Sequence, residues 1–163
     1  MPLDQNYLFS NIAPGADYIL DMDSIDLPSN AVDDFLSVFA FAHTFNYQRS
    51  IDEVYLVFKP GGRFFLLAPF MYYYHGAPDD YFRFSSSALD KLFSQFNILS
   101  RHPLGSRSLL VAELFHDKHI LGSKLPTLVC LLLRIIILPF LVAGLSTNDH
   151  RYAFAHGYLC EKP

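Results

Sequence analysis

The segment from residue 46 to residue 70 constrains the fold most, because it joins a helical pattern directly to a strand pattern. In "NYQRSIDEVYLVF", residues 46–58, the apolar side chains that recur at the spacing of one helix face are Ile51, Val54, Tyr55 and Phe58. The following "KPGG", 59–62, predicts a helix stop and a tight turn whose glycines allow positive φ. "RFFLLAPF", 63–70, is continuously apolar, as in a strand buried on both faces.

Further strand and helix patterns alternate along the chain. A run of serines followed by apolar residues at helical spacing predicts a helix over 85–96, whereas 108–121 fits either a strand or a helix. Strand patterns occupy residues 6–13, 17–27, 35–45, 97–105 and 151–163. This alternation predicts an α/β fold with a mostly parallel sheet, flanking helices and a final edge strand, all in a single domain over 1–163.

Composition and charge narrow the class of protein. The chain has 163 residues, 52% of them hydrophobic, which is enough for one core. The net charge of the chain is −4, whereas nucleic-acid-binding proteins usually carry an excess of basic residues. We therefore expect no nucleic-acid partner. Cys130 and Cys160 lie far apart, which predicts buried thiols in a reducing compartment, the cytoplasm. The first ten residues lack the pattern of a signal peptide.

The most apolar segment is "LPTLVCLLLRIIILPFLVAGL", residues 125–145, which has the length of a bilayer span. Arg134 at its middle and Pro139 within it oppose a straight transmembrane helix. We therefore favour a hydrophobic helical insertion, about residues 122–148, that is buried or docked on the domain. An interfacial helix that associates with a membrane surface and a true span remain the alternatives.

Two longer stretches carry a family resemblance. In "LPSNAVDDFLSVFAFAHTF" and "IDEVYLVFKPGGRFFLLAPF" the matching positions are Leu27-Pro28, Ala31-Val32-Asp33, Phe41-Ala42-His43 and Glu53 through Gly62. "PFMYYYHGAPDDYFRFS", 69–85, is similar to a subgroup signature. Over residues 8–100 the chain resembles class I S-adenosylmethionine-dependent methyltransferases of the methyltransferase-11 type. The resemblance implies a partial Rossmann-like fold, S-adenosylmethionine as cofactor, and methyl transfer to a small acceptor.

The sequence departs from that family at three places. The family's cofactor fingerprint, a strand ending in "GxGxG" and running into a helix, has no counterpart, and no glycine precedes Gly15. Asn11 stands where the family carries an acidic residue, and Ala42 stands where it carries a glutamate. The resemblance therefore implies an N-terminally truncated copy. A non-catalytic interaction module, or a half-enzyme completed by a partner chain or a second copy at an exposed sheet edge, is the alternative.

The resemblance also implies a set of cofactor-binding residues. Asn11 would contact the ribose hydroxyls, and Asp21 with Met22 would border the adenine. Phe39 and His43 would lie near the methionine end of the cofactor or the acceptor. The plain alternatives are a solvated acidic turn around Asp21 and a histidine that caps the following helix.

The polar aromatic segment after the strand 63–70 predicts an acceptor pocket over the carboxyl edge of the sheet. His75 is the candidate general base, with Asp79 or Asp80 to orient it. The candidate acceptor-binding residues are Tyr73, Tyr74, Asp80, Tyr81 and Arg83. The alternative is an aromatic loop that packs on the sheet, with Arg83 and Asp80 in a structural ion pair. "HDKH", 116–119, lacks a third ligand, so we expect no metal site.

Overall fold

The structure is a computed structural model of the 163-residue chain. It describes residues 10–11, 15, 17–76, 79–107, 110, 129, 132, 135–136, 138–139 and 150–163. The strands are β1 (Ser10–Asn11), β2 (Tyr18–Ile19), β3 (Val32–Val38), β4 (Phe58–Pro69), β5 (Asn97–Leu104) and β6 (Ala155–Glu161). The helices that pack on the main sheet are α1 (Tyr47–Val57) and α2 (Ser86–Leu92), and 3-10 helices lie at Ala40–His43 and His150–Tyr152.

The main sheet has four strands in the order β3-β4-β6-β5, and β1 and β2 form a separate parallel pair. β3 pairs with β4 in parallel, whereas β6 pairs with both β4 and β5 in the antiparallel sense. The sheet is therefore mixed, and the prediction of a mostly parallel sheet was wrong. The α/β architecture itself is confirmed, with two helices packed on a sheet.

The sheet is mixed because β6 pairs in the antiparallel sense with both of its neighbours. The prediction that this last strand lies at an edge of the sheet was also wrong. β6 lies inside the sheet, between β4 and β5, rather than at an edge. Tyr158 on β6 is fully buried, and its hydroxyl donates to the backbone carbonyl of Ser86 (3.0 Å) and to Asp90 Oδ1 (3.0 Å). Burial raises the pKa of Tyr158, and the carboxylate of Asp90 adds to that rise. The segment "AFAHGYLC", 153–160, consists of small, apolar and aromatic residues interrupted only by His156, and this pattern is the signal for two-sided burial.

The "KPGG" segment lies within β4 rather than in a turn before it, so the predicted tight turn was wrong. β4 begins at Phe58, directly after α1, and its register with β3 shifts between Val32 and Asp34. Gly61 has φ 77°, a conformation that favours glycine. At Gly62 a Cβ would lie 2.8 Å from the backbone oxygen of Asp33, so close strand contact requires glycine there.

The core lies on the face of the sheet that α1 and α2 cover. Phe64 is fully buried at its centre, and its ring contacts those of Phe35, Phe41, Phe58, Phe93 and Phe96. Ser85 is the N-cap of α2, as the serine run predicted, and its side chain accepts the backbone N–H of Ala88 at 3.3 Å. Outside this core, the main sheet also carries exposed apolar side chains, which are Leu36, Val38, Phe65 and Leu99.

The predicted helical insertion, 122–148, lies largely outside the described residues, as do Cys130 and most of 108–121. The described residues between 129 and 139 are helical. Within the part of the chain that the structure describes, no helix is both long enough and apolar enough to cross a bilayer. Cys160 on β6 is a buried free thiol, and burial raises its pKa to about 12.

We expect Phe64→Ala to lower the free energy of unfolding by about 3–5 kcal/mol, because it removes a buried ring and leaves a cavity. Urea unfolding followed by far-UV circular dichroism measures this change. Phe65→Ala is the matched control, since Phe65 is the next residue on β4 and is 38% exposed. A loss for Phe65→Ala equal to that for Phe64→Ala would contradict the assignment of the core to one face.

Candidate functional site

A strained residue ends β3 and starts the candidate site. The strand predicted over 35–45 stops at Val38, and Phe39 adopts a left-handed conformation with φ 60°. Such a conformation is uncommon for a bulky residue and costs on the order of 1–3 kcal/mol. The backbone N–H of Phe39 donates to the carbonyl of Leu67 on β4 at 2.8 Å. This turn directs the 3-10 helix that ends at His43 across the carboxyl ends of β3 and β4.

The segment that follows β4 is tied back to the same edge of the sheet. The backbone N–H of Phe84 donates to the carbonyl of Pro69, the last residue of β4, at 2.9 Å. The N–H of Tyr81 donates to the carbonyl of Ala42 in the 3-10 helix at 2.8 Å. The segment from 70 to 84 therefore leaves and rejoins the carboxyl end of β4, and it packs against the residues that follow β3.

An ion pair between Asp80 and Arg83 organises this segment. Arg83 Nη2 donates to Asp80 Oδ2 at 2.5 Å, and Nη1 donates to Oδ1. Arg83 also donates to the backbone carbonyls of Tyr72 (3.3 Å) and Tyr73 (2.7 Å). The Asp80 carboxylate in turn accepts the backbone N–H of His75 at 2.7 Å. The pair therefore fixes the backbone on which the aromatic side chains stand.

The two charges of this pair are satisfied by each other. The Asp80 side chain is 2% exposed and that of Arg83 is 26% exposed. The hydrogen bonds from Arg83 lower the pKa of Asp80 to about 2, against the opposing effect of burial, and the His75 N–H assists. The same contact with Asp80 raises the pKa of Arg83. This geometry agrees with the structural ion pair that was the alternative reading of the sequence.

His43 has a defined orientation in the site. Its Nδ1 contacts the backbone carbonyl oxygen of Asp79, and a carbonyl oxygen only accepts, so Nδ1 carries the proton. In the neutral tautomer with this contact, Nε2 is the acceptor nitrogen. The ring of His75 lies 5.6 Å away, centroid to centroid, at 69°. The Asp79 side chain bonds to the hydroxyl of Tyr81 and raises the pKa of that phenol.

His43, His75 and the Asp80–Arg83 pair border a cavity of about 250 Å³ that is open to solvent at the carboxyl edge of the sheet. Its walls combine aromatic rings with a few polar groups. The residues that line it are Val38, Phe39, Ala42, His43, Pro69, Tyr72, Tyr73, His75, Asp80 and Arg83. The volume suits a small acceptor or one end of a nucleoside cofactor rather than a whole cofactor. The rings of Phe39 and Tyr72, with centroids 5.1 Å apart, join the two sides of the cavity.

The acidic turn after β2 is hydrogen-bonded to the residues that follow His43 in the chain. The Asp21 carboxylate accepts the backbone N–H of Asp23 at 2.9 Å, which closes the turn. The Asp23 carboxylate accepts from Ser50 Oγ (2.5 Å) and also from the hydroxyl of Thr44, next to His43. Burial would raise the pKa of Asp23, but these hydrogen bonds outweigh it and lower the pKa. The turn and the segment 70–84 thus both contact residues 42–50.

The structure brings together many of the predicted site residues. Those that line the cavity are Phe39, His43, Tyr73, His75, Asp80 and Arg83. Tyr74, Asp79 and Tyr81 are exposed residues of the segment 70–84 outside the cavity lining. Asp21 and Met22 lie in the turn after β2, where Met22 packs against the core. Asn11 ends β1, and its side chain lies outside the described residues.

Three features of the site were not predicted from the sequence. Val38, Ala42 and Pro69 line the cavity as apolar residues without a chemical signal of their own. Asp23, rather than Asp21, carries the hydrogen bonds that attach the acidic turn to α1. Nothing in the sequence predicts that Phe39 adopts a left-handed conformation.

Comparisons with known proteins agree on the fold. No family model and no curated protein matches the sequence. The [4+2]-cyclase SpnF is 17% identical with a TM-score of 0.51, and the match covers 90% of this chain and 55% of that one. A Haloferax volcanii protein assigned as a methyltransferase, in complex with the Trm112 methyltransferase activator, is 15% identical with a TM-score of 0.52 over 88% and 59%.

A third structure, a Bacillus halodurans C-125 protein also assigned as a methyltransferase, is 12% identical with a TM-score of 0.50 over 88% of this chain and 69% of that one. The match spans little more than half of the cyclase and the archaeal protein. At these identities the likeness shows the fold alone, which is the methyltransferase-like α/β fold of class I. The truncation and the methyltransferase-11 subgroup stay predictions from the sequence.

The Asp80–Arg83 pair should make stability depend on pH. The pKa of Asp80 is held below its unfolded value, so its stabilisation is present above about pH 4 and is lost as the pH falls through about 2. We expect Asp80→Asn to lower the free energy of unfolding by about 2 kcal/mol near neutral pH. Urea titrations from neutral pH down to about 2 should show the gap to the wild type closing.

The control is Asp34→Asn, which removes an ion pair of similar geometry to Arg63 (2.9 Å) whose side chains are 57% and 59% exposed. Solvent weakens such a pair, so the change should be much smaller. Two results would contradict the burial of the Asp80–Arg83 pair. One is an equal loss of unfolding free energy in both variants, and the other is a difference between Asp80→Asn and the wild type that stays constant with pH.

Proposed function

We propose that this chain is a methyltransferase-like protein that binds S-adenosylmethionine and transfers its methyl group to a small acceptor. The observation that carries the proposal is the cavity at the carboxyl ends of β3 and β4. In open α/β sheets, ligands bind at this edge. The methyltransferase-like fold supports the choice of reaction, and the aromatic and imidazole side chains support a site built for a ligand.

The cofactor would lie across residues 39–43 with its methionine end in the cavity. Phe39 and His43 would flank that end, since both line the cavity. The turn of Asp21 and Met22 would border the adenine, because its neighbour Asp23 is bonded to α1 just beyond His43. The acidic residue common in the family is replaced by Asn11, whose amide would bind the ribose hydroxyls.

The acceptor would contact the aromatic side of the cavity. Tyr73 lines it, and Tyr74 and Tyr81 would contribute from the exposed part of the segment 70–84. Arg83 and Asp80 are bonded to each other, so they position this wall rather than supply a free charge. A cavity whose charges are paired internally favours an acceptor that is neutral and partly apolar over an acidic one.

S-adenosylmethionine would supply the methyl group from its sulfonium, the sulfonium–methyl bond would break as the acceptor's oxygen or nitrogen bonded to that group, and the acceptor's proton would pass to a base. His75 is the base that the sequence suggested, with Asp79 to orient it. The geometry favours His43, because Asp79 orients it through a backbone carbonyl and leaves Nε2 as acceptor. We therefore assign the proton to His43 and keep His75 beside it as a second candidate.

A non-catalytic role is supported by a different feature. In the part of the chain that the structure describes, β3 pairs with β4 on one side only. Leu36 and Val38 on β3 are 64% and 52% exposed. An open strand edge can accept a strand from a partner chain or a second copy. The interaction module, or an enzyme completed by such a partner, is accordingly the second candidate.

Calorimetric titration with S-adenosylmethionine and S-adenosylhomocysteine tests the proposal. We expect dissociation constants in the micromolar range, about −8 kcal/mol. Ala42→Leu, which places a larger side chain in the cavity wall, should weaken binding by at least about tenfold. Ala88→Leu on the exposed start of α2 is the matched control. If millimolar ligand gives no heat of binding and the protein sediments as a dimer, the proposal of an enzyme is wrong and the interaction module is the better account of the chain.

The base assignment has its own test. With methyl-labelled cofactor and pooled small-molecule acceptors, His43→Gln should lower the rate of label transfer by at least about 100-fold. Cofactor affinity should change less than the rate, because the glutamine keeps a similar volume at residue 43. His75→Gln is the comparison variant. If His75→Gln lowers the rate more than His43→Gln does, the proton is assigned to the wrong imidazole.

A further inference from the structure

Three aromatic rings are in contact along one wall of the cavity. The ring centroid of Tyr72 lies 5.1 Å from that of Phe39, at 39°, and 4.4 Å from that of Tyr73, at 31°. All three residues line the cavity, and we call them the ring stack. Phe39 and Tyr72 are half-buried, whereas Tyr73 is 56% exposed. The ring stack therefore ends in the cavity on an aromatic ring that a ligand can reach.

The backbone that carries the ring stack is held at both ends. Arg83 donates to the backbone carbonyls of Tyr72 at 3.3 Å and of Tyr73 at 2.7 Å. At the other end, the backbone N–H of Phe39 donates to the carbonyl of Leu67 at 2.8 Å. A ligand ring that stacks on Tyr73 would therefore meet a surface that is already ordered, and binding would cost less conformational entropy. Aromatic rings in offset contact attract each other beyond the burial of their apolar area.

Two imidazoles follow the exposed end of the ring stack. The ring of His75 lies 6.3 Å from that of Tyr73, centroid to centroid, and is nearly perpendicular to it at 75°. The ring of His43 lies 5.6 Å further on, at 69° to that of His75. Both histidines line the cavity. A planar ligand stacked on Tyr73 would therefore have these imidazoles beside its edge, where a ring substituent projects.

The strength of the base restricts the kind of hydroxyl that such a ligand can carry. The pKa of imidazole is about 6.5 and that of a phenol is about 10, whereas an aliphatic hydroxyl resembles water, whose pKa is about 15.7. An imidazole therefore takes a proton from a phenol far more readily than from an alcohol. Asp80 and Arg83 are bonded to each other, so the cavity wall supplies no free charge to a charged ligand. A phenol is neutral near pH 7, which fits that wall.

We propose that the acceptor is a neutral phenol whose ring stacks on Tyr73 and whose hydroxyl faces the imidazoles of His43 and His75. This inference rests on the proposed function and adds the class of its substrate. The phenol's proton would pass to an imidazole nitrogen, and the phenol oxygen would bond to the methyl group. The electron pair of the broken sulfonium–methyl bond would stay on sulfur, which leaves a neutral thioether. Tyr73 is then the residue that selects an aromatic acceptor over a saturated one.

Binding of the ring is tested on the full chain without cofactor. Phenol and cyclohexanol each carry one hydroxyl on a six-carbon ring, but only phenol is aromatic. In titrations followed by proton NMR, phenol should bind about fivefold more tightly than cyclohexanol. Tyr73→Leu should abolish this preference, and Tyr73→Phe should keep it because the ring remains. Phe65→Leu is the matched control, since Phe65 is 38% exposed and lies outside the cavity lining. It should bind both compounds as the wild type does.

Methyl transfer tests the choice of hydroxyl and of charge. With methyl-labelled S-adenosylmethionine, phenol should be labelled at least about 100-fold faster than cyclohexanol. Para-cresol should be labelled faster than para-hydroxybenzoate, in which a carboxylate replaces the methyl group and would find Arg83 already paired. Tyr73→Leu should raise the KM for phenol more than it lowers kcat, because the ring binds the acceptor and takes no proton.

The proposal is overturned if cyclohexanol binds or reacts as well as phenol, if para-hydroxybenzoate is preferred to para-cresol, or if Tyr73→Leu behaves as Phe65→Leu does. Failure of the proposed function gives a different result. If neither S-adenosylmethionine nor S-adenosylhomocysteine binds while the preference for phenol persists and depends on Tyr73, methyl transfer is wrong and the phenol site is supported.

Discussion

Strand β4 is the element against which the rest of the molecule is built, because its backbone is paired along both edges. β3 runs parallel to it on one side and β6 runs antiparallel on the other. Pairing on both sides fixes the register, so Phe64 is held towards the helices and Pro69 is held at the start of the site. The site therefore depends on β6, the last strand of the chain, as much as on the residues that line it.

The Asp80–Arg83 pair then converts that fixed edge into a fixed cavity wall. Burying an ion pair contributes little net stability by itself, because desolvation offsets much of the attraction. Its specific effect here is geometric, since Arg83 also binds the carbonyls of Tyr72 and Tyr73. The aromatic side chains consequently stand on a backbone that is tethered at several points. A wall of this kind selects ligands by shape and apolar contact rather than by charge.

The sequence predicted those features that depend on local signals. The periodic apolar residues of 46–58 gave α1 nearly to its ends, and Ser85 marked the start of α2. It failed where distant pairing decides the outcome, as for the interior position of β6 and the mixed sheet. The cluster of tyrosine, histidine and aspartate after β4 was predicted to overlie the carboxyl edge, and it does. The hydrogen bonds from Arg83 to the backbone carbonyls of Tyr72 and Tyr73 were not predictable from the sequence, because they form only when the segment 70–84 is already folded.

Fold alone leaves the chemistry open, since one structure with this fold is a [4+2]-cyclase and others are assigned as methyltransferases. The chemistry therefore depends on the cavity. The charges of Asp80 and Arg83 are paired with each other, and the imidazoles of His43 and His75 also line the cavity. An acceptor that enters must lose its own hydration without gaining an ion pair, which is least costly for a neutral, partly apolar molecule.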